Sequence, residues 1–222
     1  MTNYKLKLEL CSPTLVGSGE GFGALIDTDV VFDDVGIPYI PAKRIKGCLR
    51  DAALDAQDML ELTKTMVCLE IDRTFGIPGD MTAAPVYFSN LTIPEYCPTY
   101  EWLKYLLKSK KYPTILSPSQ IVKTFTELRQ QTKINEDGTA EDGSLRTSRI
   151  IKTGYCFYGE IAVNHEDADQ RIRQTLLLAC LNFRAFGTKR TRGFGEMRCL
   201  LLDDQGNDIV FPETLEALLC TP

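Results

Sequence analysis

The chain has 222 residues, 44% apolar and 25% charged, with 30 Asp and Glu against 25 Lys and Arg. That composition is globular, and the length allows a real core, which excludes a disordered or fibrous chain. A net charge of −5 excludes a protein that coats nucleic acid through overall charge, so only a local gathering of cations would bind it.

Residues 4–10 alternate strictly, with Tyr4, Leu6, Leu8 and Leu10 on one face and Lys5, Lys7 and Glu9 on the other, as in a half-buried strand. The glycine-rich run 17–23 fits neither G-x-G-x-x-G nor a phosphate-binding P-loop. A short stretch, 27–32, and a turn at 33–36 lead to Pro41, suited to the first turn of a helix, after which Ile45, Cys48, Leu49 and Ala52 recur at helical spacing. Lys43, Lys46 and Arg50 fall on another face, with Arg44 nearby and no acid before Asp51. A basic helix start suits a phosphate, although charge runs on helices are commonly solvated faces.

Residues 84–93 predict a strand and 99–110 a short helix carrying Trp102, the only tryptophan. From 112 to 153 the pattern turns polar around two Asp-Gly turns, flanked by Lys123, Arg129 and Lys133 before and Arg146, Arg149 and Lys152 after. It reads as a protruding hairpin or loop, and so long an excursion usually carries function. Alternation returns at 155–163, and Ile172, Leu176, Cys180 and Phe183 mark a helix over about 168–183. A loop at 186–197 then sets Lys189, Arg190 and Arg192 among Gly187, Gly193 and Gly195, before a last strand at 196–202. Glycine in such a loop lets the backbone approach an anion closely.

Two βαβ-like halves separated by an excursion predict an α+β fold. The expectation is one ferredoxin-like domain over residues 1–222, with helices on one face of the sheet. No run approaches the ~20 apolar residues of a membrane span, and the start lacks the shape of a signal peptide. The eight cysteines never form C-x-x-C and lie mostly in apolar runs. Reduced, buried thiols in a cytoplasmic protein without membrane contact are therefore expected, with a zinc site built from distant cysteines the lesser alternative.

Several of these segments, in order, resemble the RAMP superfamily of CRISPR-associated proteins, specifically the backbone subunits of type III effector complexes. Gly17-Ser18-Gly19 looks like that family's first turn, and residues 40–50 are similar to its "IPGSSLKGxLR" helix start, with Ala42 and Arg44 departing from it. Residues 132–149 resemble its thumb segment, and 186–196 its C-terminal glycine-rich loop. The resemblance implies a modified ferredoxin-like, RNA-recognition-motif sheet with an inserted thumb at about 112–153. It also implies the partners: CRISPR guide RNA, complementary target RNA, and other effector subunits, including like subunits stacked along the guide.

Guide contacts are then expected from Lys43, Arg44, Lys46 and Arg50, and from Lys189, Arg190 and Arg192 with the backbone of Gly187, Gly193 and Gly195. Arg129, Lys133, Arg146 and Arg149 on the thumb face either RNA or an adjacent subunit. Such contacts position RNA without reading its sequence, as arbitrary guides require. The stretch 25–33 is similar to the family's "GIDNPVIRD", and Asp27, not Asp29 or Asp33, falls on the catalytic position. The resemblance implies that Asp27 holds a divalent cation, Mg2+ or Mn2+, and supports cleavage of target RNA. Asp27 read alone is a turn residue. A purely structural guide-binding or capping subunit, and a guide-processing endoribonuclease using the only histidine, His165, are the alternatives. The run around His165 itself reads as a helix cap.

Overall fold

The computed structural model describes residues 2–17, 26–64, 68–77, 79, 84–164 and 170–209. His165, Ser18, Gly19 and Cys220 lie outside them, so the readings placed on these residues are not addressed by it.

Strand β1 (Thr2–Leu10) runs along the centre of a four-stranded antiparallel sheet. Its neighbours are β5 (Cys156–Val163) and β6 (Met197–Leu202), and β2 (Val86–Phe88) flanks β5, giving the order β2-β5-β1-β6. The register sets Leu8 opposite Phe157 on one side and Cys199 on the other. Leu6, Leu8, Leu10, Phe157, Ile161 and Leu201 therefore share one buried face, each leucine contributing ~1.5–3 kcal/mol. Helix α1 (Ala42–Leu62) covers that face with Ile45, Leu49, Ala52, Ala53 and Ala56. Helix α5 (Gln170–Asn182) covers it with Ile172, Leu176, Leu177 and Ala179. This is the expected ferredoxin-like arrangement, both long helices on one face and the alternating polar residues on the other.

The expected strand at 84–93 is broken after Phe88. The Ser89 N–H still donates to the Glu160 carbonyl at 2.9 Å, but its hydroxyl oxygen accepts the Glu160 N–H at 2.7 Å in place of a backbone acceptor, and reciprocal backbone pairing returns at Thr92. Short helix α2 (Ile71–Phe75) lies between α1 and β2, with Phe75 stacked on Phe88.

Everything between β2 and β5 is the insertion, and it is not one loop. Helix α3 (Tyr96–Lys108) buries no residue fully and exposes Trp102 and Tyr105, packed edge to face. Helix α4 (Pro118–Phe125) starts at an N-cap, Ser117, whose hydroxyl accepts from the Gln120 N–H, with Pro118 at the first position. Its Ile121 joins Val35 and Ile37 in a second small core. The hairpin proper is β3 (Thr126–Gln131) with β4 (Arg146–Ile151). Its base is fastened to the main fold by reciprocal backbone bonds between Thr14 and Ile151.

Cysteines depart from expectation. Among the described cysteines only Cys180 and Cys199, facing each other between α5 and β6, are buried, whereas Cys11, Cys68 and Cys97 are exposed. All seven within the described residues are free. No helix among those residues is long and apolar enough to cross a membrane.

Candidate nucleic-acid interface

The loop after α5 is closed from inside. The Phe186 N–H donates to the Gly195 carbonyl at 2.7 Å, and Phe186 itself is buried edge-on to Phe183. Gly195 has φ +80°, and a Cβ there would run into the Phe186 carbonyl; Gly187 has φ +89°, and a Cβ would meet the Leu15 carbonyl. These two glycines thus serve the loop's own packing. Gly193, at φ +78° with nothing within 4 Å, is the one that leaves open backbone beside the cations.

Between them, Lys189 adopts the left-handed conformation, φ +60°, and caps a single 3-10 turn, Arg190–Arg192. The strain, ~1–2 kcal/mol for a non-glycine residue, is offset by its ammonium, which donates to Gln131 Oε1 at 2.7 Å and Ser148 Oγ at 3.2 Å on the hairpin. Both acceptors are neutral, so Lys189 ties loop to hairpin while its charge stays uncompensated.

Two clefts flank that turn. One, of about 680 Å³, is lined by Lys133, Arg146, Lys189 and Arg192, with Ile134 and Gln131. The other, of about 640 Å³, runs along the start of α1 and is lined by Arg44, Arg184 and Arg190, together with Asp51 and Asp55. Cys48 lies on its wall, where burial and then Asp51 push the thiol up and keep it protonated. Loop and hairpin thus bring together Lys133, Arg146, Lys189 and Arg192, while Arg190 turns to the α1 side with Arg44.

The remaining expected residues divide by their partners. Lys43 is exposed and Lys46 half-buried. Arg44 donates to the Gly17 carbonyl, fastening the first turn, and Arg50 pairs with Asp72 at 2.9 Å. Arg129 pairs with Glu127, and Lys133 with Glu141, at exposed positions where such pairs contribute only ~0–1 kcal/mol and are readily exchanged for a phosphate. Arg149 differs: its Nε lies 2.9 Å from Asp29 Oδ1, with the side chains only 14% and 7% exposed. A charge so placed belongs to the fold.

Asp27 is exposed and bonded to Thr147, the residue after Arg146 of the larger cleft. Its Oδ2 accepts the Thr147 N–H at 2.7 Å, and its own N–H donates to the Thr147 carbonyl at 2.9 Å. The next residue, Thr28, lines the smaller cleft.

Sequence reasoning missed Arg184 and the exposed apolar residues of the hairpin, Leu128, Ile134 and Leu145. Arg184 stood just ahead of the glycine-rich loop, and apolar side chains in a polar excursion were the available signal for the others.

Fold and site define a split ferredoxin-like protein whose inserted hairpin and glycine-rich loop gather cations into a cleft on an acidic chain. The chain belongs to the RAMP superfamily, whose family profile matches residues 7–198. Direct comparison with curated proteins finds no match. Among solved structures, the chain is similar to a chain of the type III-B Cmr-beta complex bound to cognate target RNA. The TM-score is 0.62 at 15% identity, covering 90% of this chain and 97% of that one. It is also similar to a chain of the apo type III-B Cmr-beta complex, with a TM-score of 0.65 at 14% identity, covering 91% and 98%. At these identities the likeness concerns the fold.

Proposed function

We propose that this chain is a guide-RNA-binding backbone subunit of a type III CRISPR effector complex in antiviral defence, and that it cleaves bound target RNA through Asp27. The observation that carries the reading is the cleft where Lys133, Arg146, Lys189 and Arg192 converge on a protein of net charge −5. Single-stranded or splayed RNA is held by such basic grooves, with apolar groups against its bases. Ile134, exposed on the cleft wall, supplies such an apolar group here. Membership of the superfamily, and relatives in fold that act in RNA-bound effector complexes, support the same reading. Like subunits along the guide, other effector subunits and a cytoplasmic setting follow from it.

Asp27 is exposed, and it is bonded to Thr147, the neighbour of the cleft-lining Arg146, which supports a role at a phosphate held there. No group of three or more His, Cys, Asp or Glu side chains among the described residues forms a metal cage. A lone exposed carboxylate fits a Mg2+ or Mn2+ ion held jointly with RNA phosphate oxygens and water. Such an ion supplies stabilisation of the charge that develops at the phosphate. The chain's residues do the rest: Thr147 fixes one carboxylate oxygen, and the flanking cations hold the RNA strand against Asp27. The bond between Asp27 and Thr147 favours a second reading, a structural guide-binding subunit in which this carboxylate merely straps the hairpin.

RNA binding is tested by salt dependence. Replacing Lys189 and Arg192 by Ala should lower the slope of log affinity against log salt by ~0.7 per contact, or roughly 1.4 together. Filter binding of a guide-length single strand over a salt series reads it; an unchanged slope removes the cleft as an RNA contact.

A further inference from the structure

We infer that Arg149 is a positioning residue for Asp27, acting through Asp29; the inference rests on the reading that Asp27 serves cleavage. Three successive residues of the 27–29 segment are fastened to β4. Asp27 exchanges two hydrogen bonds with Thr147, one through its carboxylate and one through its N–H. The Arg149 N–H donates to the Thr28 carbonyl at 2.9 Å, in a parallel bridge between Thr28 and Ser148. The Arg149 side chain then closes on Asp29.

Apart from the Asp27 carboxylate, the first two fastenings are backbone bonds along a short parallel pairing. A one-residue slip could remake the backbone bonds, but it would carry the Asp27 carboxylate away from the Thr147 N–H and turn the buried Ile26 and Val30 out of place. The third adds a side-chain lock on that register, because it requires Arg149 and Asp29 to be level.

The pair is poorly built for stability alone. Asp29 Oδ1 also accepts the Val30 N–H at 2.8 Å, no donor among the described residues reaches the buried Oδ2, and Arg149 Nε approaches Oδ1 without hydrogen-bond alignment. A buried ion pair whose polar atoms are incompletely satisfied is commonly no better than an apolar pair of the same volume. What it supplies is register. A basic residue at the root of the hairpin thus holds a carboxylate two residues away from its own partner.

The test uses the assembled complex with target RNA under single-turnover conditions at saturating target. Arg149→Gln should slow cutting at this site by about 10- to 100-fold, the scale of a misplacement of about 1 Å, with target affinity within twofold of wild type. Arg149→Lys should recover part of the rate. The double variant Asp29→Asn with Arg149→Gln removes both charges, so it should regain the thermal midpoint that Arg149→Gln loses while cutting stays slow. Exchange of the backbone amides over residues 144–150 should accelerate in Arg149→Gln. Loss of affinity with an unchanged rate at saturation would make Arg149 an RNA contact and overturn the inference. Recovery of the rate in step with the thermal midpoint would make it merely structural, with the same result. If Asp27→Ala itself cuts normally, the cleavage reading fails; amide exchange that Arg149→Gln leaves unchanged then refutes the clamp independently.

Discussion

Replacing Asp27 by Ala is expected to abolish one cut in bound target RNA, slowing it by about 10³-fold or more, ~4 kcal/mol at 1.36 kcal/mol per decade. Guide binding and assembly should persist, because Asp27 is exposed and its loss removes only the carboxylate bond to Thr147, leaving the backbone N–H bond and the other two fastenings. Asp27→Asn is the sharper variant. Its side-chain oxygen still accepts the Thr147 N–H, so a strap is preserved while the negative charge is removed. The cleavage reading expects Asn to be as inactive as Ala, and chelation of divalent cations to stop cutting without releasing RNA. Full activity in Asp27→Asn would leave the carboxylate a strap and the subunit structural. Denaturing gels of end-labelled target, cut by complexes carrying each variant, distinguish these outcomes.

Gly195→Ala should carry the largest cost to stability, about 3 kcal/mol or more. The new Cβ must enter a left-handed backbone position, and it also meets the carbonyl of Phe186. Relief is blocked on both sides: the Gly195 carbonyl accepts from the Phe186 N–H, and the Gly195 N–H donates to the Pro13 carbonyl at 3.0 Å. Gly193→Ala makes the control, since φ is +78° but the space is open, and the expected cost is only the conformational ~1 kcal/mol. Urea unfolding of the three proteins reads the difference. Equal costs at Gly193 and Gly195 would mean that the Phe186 contact yields easily and the loop is not closed from within.

The elements legible in the sequence were those with a clean period. Leu6, Leu8 and Leu10 declared β1, and the spacing from Ile45 to Ala52 declared α1, because each buries one face against the same core. Helix α4 escaped because only Ile121 and Val122 of its eight residues are buried, although Ser117-Pro118 was a readable start. The glycines of the last loop were visible as a cluster but not as individuals. Gly187 and Gly195 are required by the carbonyls of Leu15 and Phe186, contacts made only on folding. The same limit applied to the cations. Arg146 and Arg149 look alike along the strand, yet one lines the cleft and the other is neutralised by Asp29, far away in the chain.

The strand order has a consequence in time. β1 leaves the ribosome first, but it is the centre of the sheet, and both its neighbours are encoded late, β5 starting at residue 156 and β6 at residue 197. At ~5–20 residues per second the nascent chain carries an apolar strand with two unsatisfied edges for on the order of 10 s. During that interval α1 has only half of its eventual floor, and the insertion is synthesised before the sheet from which it projects. Biosynthesis thus places a premium on shielding residues 4–10 until translation is nearly complete, and a chain stopped before β5 has no partner for the strand on which its core is built.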